Sequence, residues 1–273
     1  MAKINLPTEP RPAVIKTPKR MIMFSKPKVG KTLITSKLPK CLILDFEEGT
    51  LAVDAMSLQV KKFSDIDDIC AAIRDAEYPY QFIAVDTASA LEEMCILEAE
   101  RRWANTVEGA NWFKRDPDDP SKYHPKSGKM QMGTILNLSW GKGFQMVADI
   151  FNEVILKLEK HAPKLILLAH STYATLNKDG VEFTSVDIQL GKKSKFNATF
   201  KADAIGYMYR DGKQNKINFS ATDDVGAGGR HRYLEKDHVL ISEYLEDENG
   251  NEKLITYWEK IFAPSKAKSK SKK

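Results

Sequence analysis

The sequence predicts an α/β domain with a mostly parallel, twisted sheet flanked by helices and a C-terminal antiparallel extension. Four short runs are almost wholly apolar, as expected for strands covered on both faces: residues 21–25, 41–46, 81–86 and 165–169. Stretches with helical periodicity alternate with these runs: residues 31–37, 64–76, 88–103 and 144–161. Such alternation favours a parallel sheet with crossover helices.

After residue 169 the pattern becomes that of antiparallel strands. Residues 183–190 alternate between apolar and polar side chains and follow the turn-forming residues 177–180, which favours a β-hairpin. Two further strands are expected at residues 204–209 and 216–221, on either side of a turn. A last helix is predicted over residues 252–262.

The chain is expected to fold as one domain between two basic ends. Residues 1–20 predict a flexible basic arm, residues 21–264 the domain, and residues 265–273 a disordered lysine-rich tail. Two segments lack a regular pattern and are expected to be irregular, an insertion at 105–133 and a loop at 191–203. The two ends carry the net charge of +5, and a basic tail either binds nucleic acid weakly through phosphates or is simply solvated.

Composition and the cysteine spacing indicate the cellular compartment and argue against several kinds of site. No apolar run approaches the roughly 20 residues that span a bilayer, and the first residues lack a signal peptide, so we expect an intracellular, cytoplasmic protein without membrane contact. Cys41, Cys70 and Cys95 lie far apart and show no CxxC spacing. They predict buried free thiols in a reducing compartment and neither a zinc site nor a redox pair.

A phosphate-binding loop is predicted at residues 25–32, between the first strand and the first helix. The segment matches G-x-x-x-x-G-K-[ST] except at its first position, where Ser25 replaces glycine. Gly30 allows the backbone to approach phosphates, Lys31 is the cation for the β and γ phosphates, and Thr32 offers a hydroxyl to Mg²⁺. The alternative is a coincidental Gly-Lys-Thr. The predicted ATP-binding residues are Ser25, Lys26, Pro27, Lys28, Val29, Gly30, Lys31, Thr32 and Leu33.

Acidic residues follow the next two apolar strands. Asp86 ends four apolar residues in the Walker B arrangement, and a carboxylate at the end of a neighbouring strand reaches Mg²⁺ together with Thr32. Glu47 is the first candidate to activate the attacking water, and Glu48 is the second. Alternatively, these two acids cap the following helix or bind Mg²⁺ indirectly.

The P-loop, residues 41–47 and residues 82–91 resemble RecA-type ATPases in order and spacing. The resemblance extends over residues 21–234, and it is closest to the compact RecA-like ATPases of bacteriophages, which also carry a segment like residues 141–144. It implies DNA recombination or single-strand annealing on single-stranded DNA. It also implies a homo-oligomeric ring or filament, a single-strand-binding protein as partner, and the cytoplasm of a bacterial host. Two other interpretations stay open, a non-hydrolytic annealing or loading module and a small-molecule kinase.

The resemblance assigns roles to further residues. It places Glu47 as the catalytic glutamate and His170 as a polar sensor of the γ-phosphate, although a histidine at a strand end is also often structural. Arg230 or Arg232 would stabilise the transferring phosphate of the next subunit, with Lys213 and Lys216 as alternatives and a plain surface turn as the other interpretation.

Basic and aromatic residues are interleaved in the irregular loop, as in proteins that bind single strands. The candidate DNA-binding residues are Lys192, Lys193, Lys195, Phe196, Phe200 and Lys201. Residues 197–201 resemble the segment that closes the second DNA loop of RecA proteins. The insertion at 105–133 has a similar mixture diluted by acids, so it is either a second DNA contact or a lid over ATP.

Overall fold

The computed structural model describes residues 8–10, 15–109, 114–115, 123–124, 134–178, 180–235 and 238–263. Its strands are β1 (Arg20–Ser25), β2 (Cys41–Asp45), β3 (Ser57–Gln59), β4 (Phe82–Asp86), β5 (Lys114–Arg115), β6 (Tyr123–His124), β7 (Lys164–Lys178), β8 (Val181–Ile188), β9 (Ala204–Asp211), β10 (Gln214–Asn218), β11 (Gly228–Gly229), β12 (Val239–Glu246) and β13 (Glu252–Thr256). Its helices are α1 (Lys31–Ser36), α2 (Asp65–Asp75), α3 (Ala88–Ala104), α4 (Lys142–Leu158), α5 (Lys192–Phe200), α6 (Arg232–Glu235) and α7 (Glu259–Phe262).

One large sheet organises the described part of the chain. Its main path runs β13-β12-β10-β9-β1-β7-β4-β2-β3. The strands from β9 to β3 are parallel, whereas β9, β10, β12 and β13 pair in antiparallel fashion. The predicted α/β fold, a mostly parallel sheet with a C-terminal antiparallel extension, is therefore confirmed.

The strand order determines which residues meet at the functional edge. The parallel strands β1, β7, β4 and β2 point the same way, so the residues that follow them lie along one edge. β7 lies between β1 and β4. The strand that carries Asp86 is therefore not the direct neighbour of the P-loop strand that the sequence led us to expect. The Asp86 carboxylate reaches past β7 to the hydroxyl of Thr32.

Two apolar layers cover the sheet. All six residues of β1 are buried, and they alternate between the layers because successive side chains of a strand face opposite sides. Ile22 and Phe24 pack with the layer under α2, α3 and α4. Met21 and Met23 pack with Ile34 of α1 and with the C-terminal segment. The indole of Trp258 donates a hydrogen bond to the carbonyl oxygen of Ile34 at 3.0 Å, which fixes α1 against the sheet.

Most predicted elements are confirmed, including the hairpin. β7 is longer than the predicted strand at 165–169, because beyond the sheet edge it pairs with β8 as far as Lys178. Gly180 adopts a left-handed backbone (φ 84°) in the connecting turn. Cys41, Cys70 and Cys95 are buried free thiols, as expected.

Two secondary-structure predictions are wrong. Residues 252–262 do not form one helix, because Glu252–Thr256 pairs with β12 and only Glu259–Phe262 is helical. Cross-strand pairing overrides the local helical preference of this segment. Residues 191–203 are not an irregular loop, because Lys192–Phe200 forms α5. Its core-facing positions are the small residues Ser194 and Ala198, so the helix leaves no large apolar periodicity in the sequence.

Several predicted segments lie partly or wholly outside the described residues. The basic arm is described only at residues 8–10 and 15–20, and Arg20 already belongs to β1. Most of the 105–133 insertion and the whole 265–273 tail are outside the described ranges. Among the helices that the structure describes, none has the length and apolar character to cross a bilayer.

Candidate nucleotide-binding site

The predicted P-loop joins β1 to α1 and has the backbone that phosphate binding needs. Gly30 has φ 104°, a left-handed conformation that favours glycine. Ser25 lies in β1 and needs no such conformation, which explains why serine replaces the first glycine of the pattern. Its hydroxyl donates to the carbonyl oxygen of Lys26 at 2.8 Å and accepts from Lys31 Nζ at 3.2 Å. Ser25 therefore helps to hold the lysine of the motif.

Burial of Lys31 at the site disfavours its charged ammonium form. Its side chain is buried, with 6% of its surface exposed. Burial lowers the pKa of Lys31, and the nearby carboxylates of Asp86 and Glu47 partly offset this effect. An anionic ligand would add to that offset, because a second negative charge favours the ammonium form.

Thr32 and Asp86 meet as predicted for a magnesium site. The hydroxyl of Thr32 donates to Asp86 Oδ2 at 2.5 Å. Burial raises the pKa of Asp86, whereas Thr32 and Lys31 act in the opposite direction. A Cβ added to Gly49 would lie 3.7 Å from the Thr32 hydroxyl oxygen, so the absence of a side chain there keeps space beside the pair.

A hydroxyl and a carboxylate are oxygen ligands of the kind that Mg²⁺ prefers. Within the described ranges, no group of three or more His, Cys, Asp or Glu side chains is arranged to hold a metal. Mg²⁺ ordinarily takes only one or two protein ligands at phosphate sites and completes its shell with phosphate and water. The Thr32 and Asp86 pair fits that pattern.

Glu47 lines the same cavity and is held there by two side chains. Thr87 donates its hydroxyl to Glu47 Oε1 at 2.5 Å, and His170 Nε2 lies 3.2 Å from Glu47 Oε2. The other ring nitrogen of His170 is buried and has no hydrogen-bond partner among the described residues. Because an ionised carboxylate only accepts hydrogen bonds, the tautomer with the proton on Nε2 is the one that fits this contact. The structure therefore brings His170 to the site, next to Glu47. This is the residue that the family resemblance suggests as a sensor of the γ-phosphate.

Asp45 is a residue whose role sequence reasoning missed. Its carboxylate accepts from the backbone amides of Glu47 at 3.0 Å, Gly49 at 3.1 Å and Thr50 at 2.8 Å, and from the Thr50 hydroxyl at 2.5 Å. Burial raises the pKa of Asp45, but these hydrogen bonds outweigh it and bring the pKa below the ordinary value. Asp45 therefore fixes the turn that presents Glu47.

These residues surround one cavity of about 440 Å³. Six of the nine predicted ATP-binding residues line it, and Thr32 is one of these six. The other predicted metal ligand, Asp86, lines it as well, and so do Glu47 and His170. The lining residues are Pro27, Lys28, Gly30, Lys31, Thr32, Leu33, Glu47, Gly49, Ala52, Val53, Asp86, Thr87 and His170. Val29 instead packs toward the core, and Lys26 contributes its carbonyl oxygen 3.5 Å from Lys31 Nζ.

The predicted arginine finger lies elsewhere in the subunit. Gly229 pairs with Ala204 at the start of β9, and the amide of Arg230 donates to the carbonyl oxygen of Asp203. The Arg230 guanidinium is 3.5 Å from the Asp203 carboxylate. This is the sheet edge opposite the cavity. Arg232 begins α6 nearby and is exposed. A role for either arginine in a neighbouring subunit stays a prediction.

The alternative finger residues are engaged in ion pairs. Lys213 Nζ lies 2.9 Å from Glu246 and 2.8 Å from Glu252. Lys216 Nζ lies 2.6 Å from Asp211. Neither lysine belongs to the residues that line the cavity.

The candidate DNA-binding residues lie on α5 and directly after it. Phe196 and Phe200 are 63% and 66% exposed, and their rings stack with centroids 5.5 Å apart. Lys192, Lys193 and Lys201 are exposed beside them. Two of the lysines have partners within the protein: the ammonium of Lys195 lies 2.5 Å from the Asp187 carboxylate, and Lys193 Nζ donates to the carbonyl oxygen of Gly141 at 3.4 Å.

Comparisons with known proteins give a match to a protein family and a similarity to a solved structure. Residues 17–115 match a protein family described as an AAA domain, and this segment contains β1 to β4 with Lys31, Glu47 and Asp86. Among solved structures, a KaiC-like protein from the hyperthermophilic archaeon Pyrococcus horikoshii OT3 is similar with a TM-score of 0.35 and 10% identity, over 88% of this chain and 89% of that one. A comparison with curated proteins gives no significant match.

The fold and the site together define a class of protein. The mostly parallel α/β sheet, the AAA-domain match and the geometry around Lys31, Thr32 and Asp86 support a P-loop ATPase. Nucleotide binding, typically with Mg²⁺, is what this class implies.

Proposed function

We propose that this protein binds Mg-ATP at its P-loop, hydrolyses it, and acts on single-stranded DNA in recombination, annealing or replication. The observation that carries the proposal is the convergence of Lys31, Thr32, Asp86 and Glu47 on one cavity. The resemblance to phage RecA-like ATPases supports the DNA part. It also supports assembly into a ring or filament and work beside a single-strand-binding protein.

Six polar residues of the cavity have roles in the proposed hydrolysis. Lys31 binds the β and γ phosphates, and Thr32 with Asp86 would hold Mg²⁺, which neutralises charge that develops on the phosphates. Glu47 accepts the proton of the attacking water. Thr87 and His170 engage one lone pair on each oxygen of Glu47, so each oxygen keeps another for water. They also fix the orientation of the carboxylate.

Substitution of Glu47 tests the catalytic assignment. Glu47→Gln should lower the hydrolysis rate roughly 100-fold or more, because a general base contributes about that much, while ATP still binds. Glu48→Gln is the matched control, since Glu48 is the adjacent acid and is exposed outside the cavity lining. Loss of hydrolysis in Glu48→Gln with full activity in Glu47→Gln would reverse the assignment of the two acids.

The exposed aromatic pair on α5 supports single-stranded DNA as the partner. Stacked rings flanked by lysines combine a surface for bases with cations for phosphates. Replacing both Phe196 and Phe200 with alanine should weaken binding of a fluorescent oligonucleotide by roughly 1–3 kcal/mol per stacked base. Leu245→Ala, at another exposed apolar side chain, should bind DNA like the parent protein. The DNA part of the proposal fails if single strands neither bind nor stimulate the ATPase.

A non-hydrolytic annealing or loading module remains the second candidate. The hydrogen bonds from Thr87 and His170 to Glu47 favour it, because they leave an attacking water only one free acceptor site on each carboxylate oxygen. Annealing of complementary strands by Glu47→Gln separates the two functions. Annealing that persists without hydrolysis would mean that ATP binding suffices, and annealing that stops would mean that hydrolysis drives the activity.

A further inference from the structure

Arg210 stands beside the P-loop although nothing in its local sequence marks it. β9 runs parallel to β1, and Tyr207 lies opposite Phe24. β1 ends at Ser25, whereas β9 continues to Asp211. The last residues of β9 therefore extend along the loop that leaves β1.

The guanidinium of Arg210 faces the same side of the sheet as α1. Met208 is buried in the apolar layer that contains Ile34 of α1, and side chains two residues apart share a face of a strand. A Cβ built on Gly30 would lie 3.9 Å from Arg210 Nη2, so the cation is close to the glycine that shapes the P-loop.

The charge of Arg210 is not used within the described structure. In the same hairpin, Asp211 is paired with Lys216, and Lys213 is paired with two glutamates. The side chain of Arg210 is exposed and makes no hydrogen bond or ion pair with any residue that the structure describes. An unpaired guanidinium beside a phosphate-binding loop is well suited to a phosphate oxygen, which it binds in bidentate geometry.

We propose that Arg210 binds the nucleotide within its own subunit, at the β-phosphate held around Gly30. Asp86, Glu47 and His170 mark the γ-phosphate end of the cavity and belong to or follow strands on one side of β1. Arg210 belongs to β9 on the other side of β1 and approaches the cavity at Gly30. The contact is therefore common to ADP and ATP. This inference rests on the proposed nucleotide site and adds a cation that acts in cis.

Affinity for ADP and ATP, measured by calorimetry, tests the inference. Arg210→Ala should weaken both nucleotides by the same factor, roughly tenfold to a hundredfold, as for loss of a charge-assisted hydrogen bond. Arg210→Lys keeps the charge but loses the bidentate geometry, so its loss should be smaller. Arg74→Ala, at an exposed arginine of α2, is the control and should match the parent protein. Thermal unfolding of each variant checks that it is folded.

Lys31→Ala separates failure of this inference from failure of the nucleotide site. If Lys31→Ala abolishes binding while Arg210→Ala retains the parent affinity for both nucleotides, the role of Arg210 is refuted and the site stands. A loss restricted to ATP would also refute it, because the contact would then be with the γ-phosphate. If Lys31→Ala binds ATP like the parent protein, the site itself is refuted and this inference with it.

Discussion

Asp45→Asn is the substitution that best tests how the turn carrying Glu47 is built. The parent carboxylate accepts four hydrogen bonds, two at each oxygen, and 2% of the residue surface is exposed. Asparagine has the same shape but offers one acceptor oxygen and one donor nitrogen. Two of the four donors in the turn therefore meet an amide nitrogen instead of an oxygen.

The structure allows the size of the loss to be worked out. With its nitrogen toward Thr50, asparagine would still donate to the Thr50 hydroxyl, and its oxygen would keep the amides of Glu47 and Gly49. The Thr50 amide would lose its acceptor, and the remaining bonds would lose their ionic character. A hydrogen bond to a charged group contributes about 1.5–3 kcal/mol, so we expect the free energy of unfolding to fall by about 2–3 kcal/mol.

Urea unfolding and ATP turnover together provide the assay. Turnover should fall because Glu47 is less well held, whereas ATP affinity should change little because Lys31 is untouched. Asp54→Asn is the control, since Asp54 is an exposed acid a few residues further along. The reasoning is refuted if Asp45→Asn unfolds within about 0.5 kcal/mol of the parent protein, the range typical of neutral surface substitutions.

Three other outcomes follow from the same structure. The pKa of Asp45 lies below its ordinary value of 3.8. The ionised carboxylate therefore stabilises the fold above that pH, and this stabilisation is lost on acidification. The difference in unfolding free energy between the parent protein and Asp45→Asn should shrink below about pH 4. Burial raises the pKa of Cys41 to about 12 and also raises the pKa of Cys95. Because the thiolate is the reactive form, iodoacetamide should label both cysteines only after denaturation. Trp258→Phe removes the hydrogen bond to Ile34, and thermal unfolding should report a loss of about 1 kcal/mol.

The charged and hydroxyl side chains that line the cavity were predictable because they belong to short, local sequence patterns. Lys31 and Thr32 follow from the P-loop motif, and Asp86 and Glu47 follow from apolar strands that end in acids. Parallel strands deliver their ends to one edge, so order along the chain was sufficient to place these residues together. His170 was assigned from the family resemblance, and the structure places it in β7 at the level where β1 ends.

The remaining features depend on contacts that no local pattern encodes. α5 was missed because its buried positions are Ser194 and Ala198, which do not stand out as an apolar face. Arg210 gains its position from the register between β9 and β1, which pairs segments far apart in the chain. The role of Asp45 depends on the turn that its own hydrogen bonds create.

The two edges of the sheet limit how arginines can act on the nucleotide. β1 has six residues, and at about 3.3 Å per residue its ends are separated by about 20 Å. Arg230 lies near the start of β1, whereas Gly30 follows its end, so Arg230 does not reach a phosphate in its own subunit. A direct contact of Arg230 with a phosphate would therefore have to come from a neighbouring subunit and would vanish on dilution. An effect of Arg210 should persist in the monomer, because Arg210 and Gly30 belong to the same subunit.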